Sequence, residues 1–195
     1  MKKLVIATVV TLFSASAFAL TVDTDKSKIT WTGSKVVGSS HTGNVKIKNA
    51  DIKWKKGMPT KGKVVIDMTT ITNTDVTNAK FNKKLVDHLK SDDFFGVKKH
   101  KTATLDIEKV SKVSDKIYML TGELEIKGED EDVSIKAEVV KSTKTSKVVK
   151  ATFKFDRTDF GIKYGSGQFF TDLGDRMISD DVEVAVELHL AEAKK

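Results

Sequence analysis

The sequence predicts an all-β protein, an eight-stranded antiparallel barrel with one short α-helix at an end. Three observations lead there. Apolar residues recur with period two along most of the chain, only one segment has helical spacing, and no further helices are available to cover a sheet. In the segment 181–190, Val182, Val184, Val186, Leu188 and Leu190 share one face, while Glu183, Glu187 and His189 share the other. In the segment 147–157, Ala151, Phe153, Phe155 and Arg157 lie together, opposite Thr152, Lys154 and Asp156. A sheet built from such strands has a dry side, and closing on itself hides that side without a second layer. Eight strands enclose an interior that is filled by side chains or holds one small ligand.

Taken in order, residues 1–19 read as an address. Lys2 and Lys3 precede the apolar run Leu4–Phe13, which is too short to span a bilayer, and Ala17-Phe18-Ala19 matches the small-residue pattern cut by signal peptidase. Cleavage after Ala19 is expected, leaving a single domain over residues 20–195. The short, dilysine-led leader has a bacterial look and points to the periplasm, with secretion as the alternative. Strands are predicted near 28–37, 44–54, 62–71, 102–110, 116–127, 132–140, 147–157 and 181–190, separated by turn signals such as Gly38-Ser39-Ser40 and Gly128-Glu129-Asp130. Two segments depart from this pattern. Residues 78–91 place Phe81, Leu85 and Leu89 on one helical stripe, and residues 158–180 form a long irregular stretch of the sort that acts as a lid.

Composition excludes several chemistries. With no cysteine there is no disulfide framework, thiol nucleophile or thiolate metal site. The four histidines show no metal-binding spacing, and Gly165-Ser166-Gly167 lacks the strand–turn–helix setting of a nucleophile elbow. No residue is nominated as catalytic or metal-binding, no cofactor is expected, and the protein is read as a non-enzyme. Without the leader lysines the net charge falls from +7 to +5. The lysines alternate with apolar residues and there are only two arginines, so no nucleic-acid partner is expected. Transient attraction to an anionic membrane surface stays open.

A binding site has better support. Phe94-Phe95 and Phe169-Phe170 lie in irregular segments, and with Phe81 on the helix they describe either a ligand mouth or a simple seal over the barrel end. Parity aims Arg157 inward, where it must be paired with a carboxylate or with an anionic ligand head group; the carboxylate carries more weight because the strand is ending there. Lys35 shares parity with Trp31 and raises the same question more weakly.

The stretches Trp31-Thr32-Gly33-Ser34-Lys35, His41-Thr42-Gly43, His88-Leu89-Lys90-Ser91-Asp92-Asp93-Phe94-Phe95, Thr121-Gly122-Glu123-Leu124 and Asp156-Arg157-Thr158-Asp159-Phe160-Gly161-Ile162 resemble, in order and spacing, the YceI-like family of periplasmic lipid- or polyisoprenoid-binding proteins. The resemblance implies a lipocalin-like barrel around an apolar cavity that holds a long-chain isoprenoid or fatty amphiphile, and it leaves a homodimer open. It offers no catalytic residues to carry over. The expected role is a periplasmic carrier, with a stress-related interaction protein having a filled barrel and no ligand as the alternative. The residues expected to contact the amphiphile are Trp31, Lys35, Phe81, Leu85, Leu89, Phe94, Phe95, Phe153, Phe155, Arg157, Phe160, Ile162, Tyr164, Phe169 and Phe170.

Overall fold

The computed structural model describes residues 20–55 and 58–192, so the leader reading of residues 1–19 lies outside the described residues. The strands are β1 (Leu20–Val22), β2 (Lys28–Lys35), β3 (Ser40–Lys55), β4 (Met58–Asp67), β5 (Thr102–Lys112), β6 (Ile117–Ile126), β7 (Glu129–Ser142), β8 (Ser146–Asp156) and β9 (Ile178–Glu192), with the helix α1 (Ala79–Lys90) between β4 and β5. Strands β2 to β9 pair each with the next, all antiparallel, and β9 returns to pair with β2. This closes the eight-stranded barrel. The short β1, which alternation does not reveal, pairs with the far end of β9, from Leu20↔Glu192 to Val22↔Leu190.

Antiparallel order gives the barrel two unlike ends. One carries α1, the segments around it and the loop 157–177. The other carries the β3–β4, β5–β6 and β7–β8 hairpins and is called the hairpin end below. Asn78 starts α1 by accepting hydrogen bonds from the Lys80 and Phe81 amides. Leu89 is buried against the barrel and Leu85 is half-buried, but Phe81 projects past the rim and is 62% exposed.

The boundaries differ from expectation for local reasons. The strand predicted over 62–71 stops at Asp67, whose carboxylate accepts from the Thr69 amide (3.0 Å) and hydroxyl (2.6 Å) and caps a 3-10 turn at Met68–Thr70. The β6–β7 hairpin is tighter than expected. Lys127 and Gly128 have φ of 59° and 84°, and Ile126 pairs directly with Glu129. Two left-handed residues match the twist of the flanking strands, so β7 begins at Glu129, inside an acidic run that β propensity disfavours. In β2 a register shift against β9 lies between Gly33 and Lys35. It breaks the alternation on which the inward placement of Lys35 depended, and Lys35 is exposed.

Gly43 is where the wall admits a second layer. A Cβ there would lie 1.8 Å from the Thr72 carbonyl oxygen and 2.6 Å from the Trp31 ring. Trp31 is directly opposite Gly43, and its indole N–H donates to that carbonyl at 3.1 Å. Past the 3-10 turn the chain runs back along the edge of β3, with the Thr72 amide donating to Asn44 O and the Thr74 amide to Thr42 O.

Asp75 anchors this return. It accepts from the Thr42 amide (2.8 Å), His41 Nδ1 (2.8 Å) and the Asn73 side chain. Burial pushes its pKa up, but the bonds from Thr42, His41 and Asn73 outweigh that and hold it at about 2. Because the folded value lies below the unfolded 3.8, Asp75 contributes stability above that value and loses it as the pH falls toward 2. Asp75→Asn should flatten the pH dependence of Tm between about pH 4 and pH 2. An unchanged acid slope in the variant would remove Asp75 from that role.

Candidate ligand cavity

The barrel interior holds a cavity of about 230 Å³. One buried water needs only about 10–15 Å³, so the space exceeds a packing defect more than tenfold. The wall is apolar: Ile29, Val45, Ile47, Val64, Ile66, Leu105, Ile107, Leu124, Ile135, Val184 and Val186 are typical, with Ala137 and Ala151 facing each other across β7 and β8. Besides indole nitrogens, its polar groups are those of Lys61, Tyr118 and Lys147. Most wall residues follow from alternation along the strands, but in β3, β4 and β5 the inward parity switches at register shifts, as between Ile47 and Ile52 and between Ile107 and Val110.

Of the residues expected to contact an amphiphile, Trp31, Phe95, Phe153 and Phe155 line this cavity. Leu85, Leu89, Phe94, Phe160 and Ile162 instead belong to a packed cluster that stoppers the helix end, together with Met68, Ile71, Val97 and Ile126. Phe160 and Ile162 are each 1% exposed. Phe155 meets Phe160 edge to face at 5.5 Å, and His88 meets Phe94 and Tyr164 in the same way at 4.9 and 4.7 Å. Tyr164, Phe169, Phe170 and Phe81 are exposed and lie off the cavity wall.

Phe94 and Phe160 of the irregular segments therefore pack into a stopper, which favours the seal over the ligand mouth of the two readings open for the helix end. The cavity extends toward the hairpin end, where its wall residues Ile52, Trp54, Pro59, Val110, Tyr118, Leu120 and Val139 are half-buried and Leu190 is buried; beside the stopper Met68, Ile71 and Leu124 are buried and Trp31, Phe95, Phe153 and Phe155 half-buried.

Arg157 holds the stopper in place. It is 2% exposed, and every guanidinium N–H has a protein acceptor. Nε donates to Ser179 O (3.0 Å), Nη1 to Ile162 O (2.8 Å) and Tyr164 O (2.9 Å), and Nη2 to Ile178 O (3.3 Å) and Asp180 Oδ1 (3.0 Å). A guanidinium has five donors, so none remains for a ligand head group. Burial pushes the Arg157 pKa down, opposed by Asp180 and Asp156. Asp180 Oδ2 in turn accepts from the fully buried Ser166 hydroxyl and from Gln168, at 3.0 Å each. The first half of the loop expected to act as a lid is thus tied to one guanidinium, directly at Ile162 and Tyr164 and through Asp180 at Ser166 and Gln168. Spacing nominated Arg157, but its partners were beyond sequence reading, because four of its acceptors are backbone carbonyls.

Among the described residues no group of three or more His, Asp or Glu side chains is placed to hold a metal ion.

Comparison with known proteins sets this cavity in a family. The fold matches Burkholderia cenocepacia BcnA at a TM-score of 0.70 and 21% identity, over 86% of this chain and 98% of that one. It matches a Campylobacter jejuni YCEI protein at 0.60 and 23%, over 76% and 84%. It also matches a domain from Saccharophagus degradans, described as polyisoprenoid binding and implicated in plant cell wall breakdown, at 0.66 and 15%, over 90% and 99%. A search of curated proteins found no match. The family model for the YceI-like domain matches residues 20–190, and the chain belongs to that family.

Proposed function

We propose that this protein is a periplasmic carrier that holds a long-chain isoprenoid or fatty amphiphile inside the barrel. The observation that carries this reading is the apolar cavity of about 230 Å³. A hydrocarbon tail taken up there gains roughly 25 cal/mol for each Å² removed from water. Apart from Lys61, Tyr118, Lys147 and the two indoles the wall supplies no directional polar groups, which suits a flexible chain better than a compact polar molecule. The Saccharophagus neighbour, described as polyisoprenoid binding, supports the same ligand class.

Titration with a polarity-sensitive fluorescent fatty acid tests the proposal. Saturable, stoichiometric enhancement, reversed by a polyprenyl alcohol, is expected. No enhancement with protein free of bound lipid, or enhancement that a polyprenyl alcohol leaves untouched, would contradict it.

A further inference from the structure

Charge is distributed unequally along the barrel axis. Among the described residues the three hairpins at the hairpin end of the cavity, residues 52–55 with 58–62, 110–118 and 139–148, carry three, two and three lysines and a single carboxylate, Asp115. That carboxylate is already paired with Lys112 at 2.8 Å. Other acids near this end are Asp51, paired with Lys53 at 2.7 Å, and Glu138, opposite Ile117, while Asp23, Asp25 and Glu192 lie to one side with β1 and the end of β9, Asp23 being paired with Lys26 at 2.9 Å. At the stoppered end the β6–β7 hairpin, residues 123–132, has six carboxylates against one lysine. The loop 156–181 there has six carboxylates against two arginines and one lysine, although α1 adds Lys80, Lys83, Lys84 and Lys90, and the segment after it Lys98, Lys99 and Lys101, against Asp87, Asp92 and Asp93.

Two further features sit among the hairpin lysines. Val113 and Val140 are 61% and 46% exposed there. Lys61 and Lys147 belong to the cavity wall itself, so the basic surface continues into the mouth.

We infer that the hairpin end is a docking surface for an anionic phospholipid bilayer, and that the amphiphile passes between bilayer and cavity through this end. Lysines near an anionic surface are attracted over about a Debye length, and apolar tips between them reach the acyl boundary. The acidic hairpin and loop at the far end are repelled by the same surface, which fixes the orientation. The stopper, tied to Arg157, then stays away from the membrane, and the half-buried apolar wall faces it. This inference rests on the carrier reading for its purpose. Its test does not, because docking is read without cargo.

The test is flotation of the purified protein with vesicles of phosphatidylcholine alone and of phosphatidylcholine mixed equally with phosphatidylglycerol. Binding to the anionic vesicles only, weakening as salt is raised, is expected. Reversing three exposed hairpin lysines, Lys116→Glu, Lys141→Glu and Lys144→Glu, should weaken it by about tenfold or more, with thermal unfolding unchanged. The matched reversal at α1 (Lys80→Glu, Lys83→Glu and Lys84→Glu) should leave it intact. Equal binding to both vesicle types, no binding to either, or loss through the α1 variant alone would overturn the inference. The fatty-acid titration in vesicle-free buffer separates the two readings. Unaltered protein that binds the probe but docks on neither vesicle type sinks the membrane surface and leaves the carrier standing. Docking without probe binding does the reverse.

Discussion

Arg157→Met should cost about 3–5 kcal/mol of stability, as expected for removing one partner of a buried ion pair. At about 2–4 °C per kcal/mol for a domain of this size, Tm should fall by roughly 6–20 °C. The methionine fills much of the same volume, so the loss comes from what the guanidinium leaves behind. Asp180, with its side chain only 19% exposed, keeps a charge without its cation. The carbonyls of Ile162, Tyr164, Ile178 and Ser179 lose their donors. Arg157→Lys should recover only part of the loss, since an ammonium has three donors in place of a planar set of five. At a temperature where the variants remain folded, probe binding should persist. Unchanged Tm in Arg157→Met would refute the anchoring role, and a stable Arg157→Lys that no longer binds the probe would return Arg157 to the ligand site.

Ala137→Phe should abolish probe binding while keeping or raising Tm. Ala137 is buried in the wall opposite Ala151, and the added ring would project into the empty interior. In a filled core such a change overpacks and costs about 1–3 kcal/mol. Here the ring occupies space that an amphiphile's tail would otherwise take. Binding and stability should therefore move in opposite directions, as measured by fatty-acid titration and thermal unfolding of one preparation. A fall in Tm with binding unchanged would show that the tail does not lie along this part of the wall.

The barrel was legible because its signal is local and repeated. Alternation in 181–190 and 147–157 placed Val182 to Leu190 and Ala151 to Phe155 on the inner wall, where they lie. Alternation failed wherever backbone geometry overrode it. The register shift after Gly33 turned Lys35 outward, and the Lys127-Gly128 turn shortened a hairpin that composition had read as longer. The stripe on α1 gave Leu89 correctly but could not show that Phe81 overhangs the rim. The deeper limit was direction. Period two tells which residues face inward and is silent on which end is closed, and that depends on how Phe94, Phe160 and Ile162 pack from distant segments. The polarity of the barrel is legible in hindsight, because the lysines of 139–148 and the carboxylates of 123–132 fall at opposite ends once the strands are ordered.

The most direct measurement of the central claim is native mass spectrometry of the protein purified without detergent, followed by organic extraction of what it carries. A one-to-one mass shift from an amphiphile with a long apolar tail, absent from Ala137→Phe, is the predicted result. A bare mass that stays unchanged after incubation with polyprenyl lipids and quinones would contradict it.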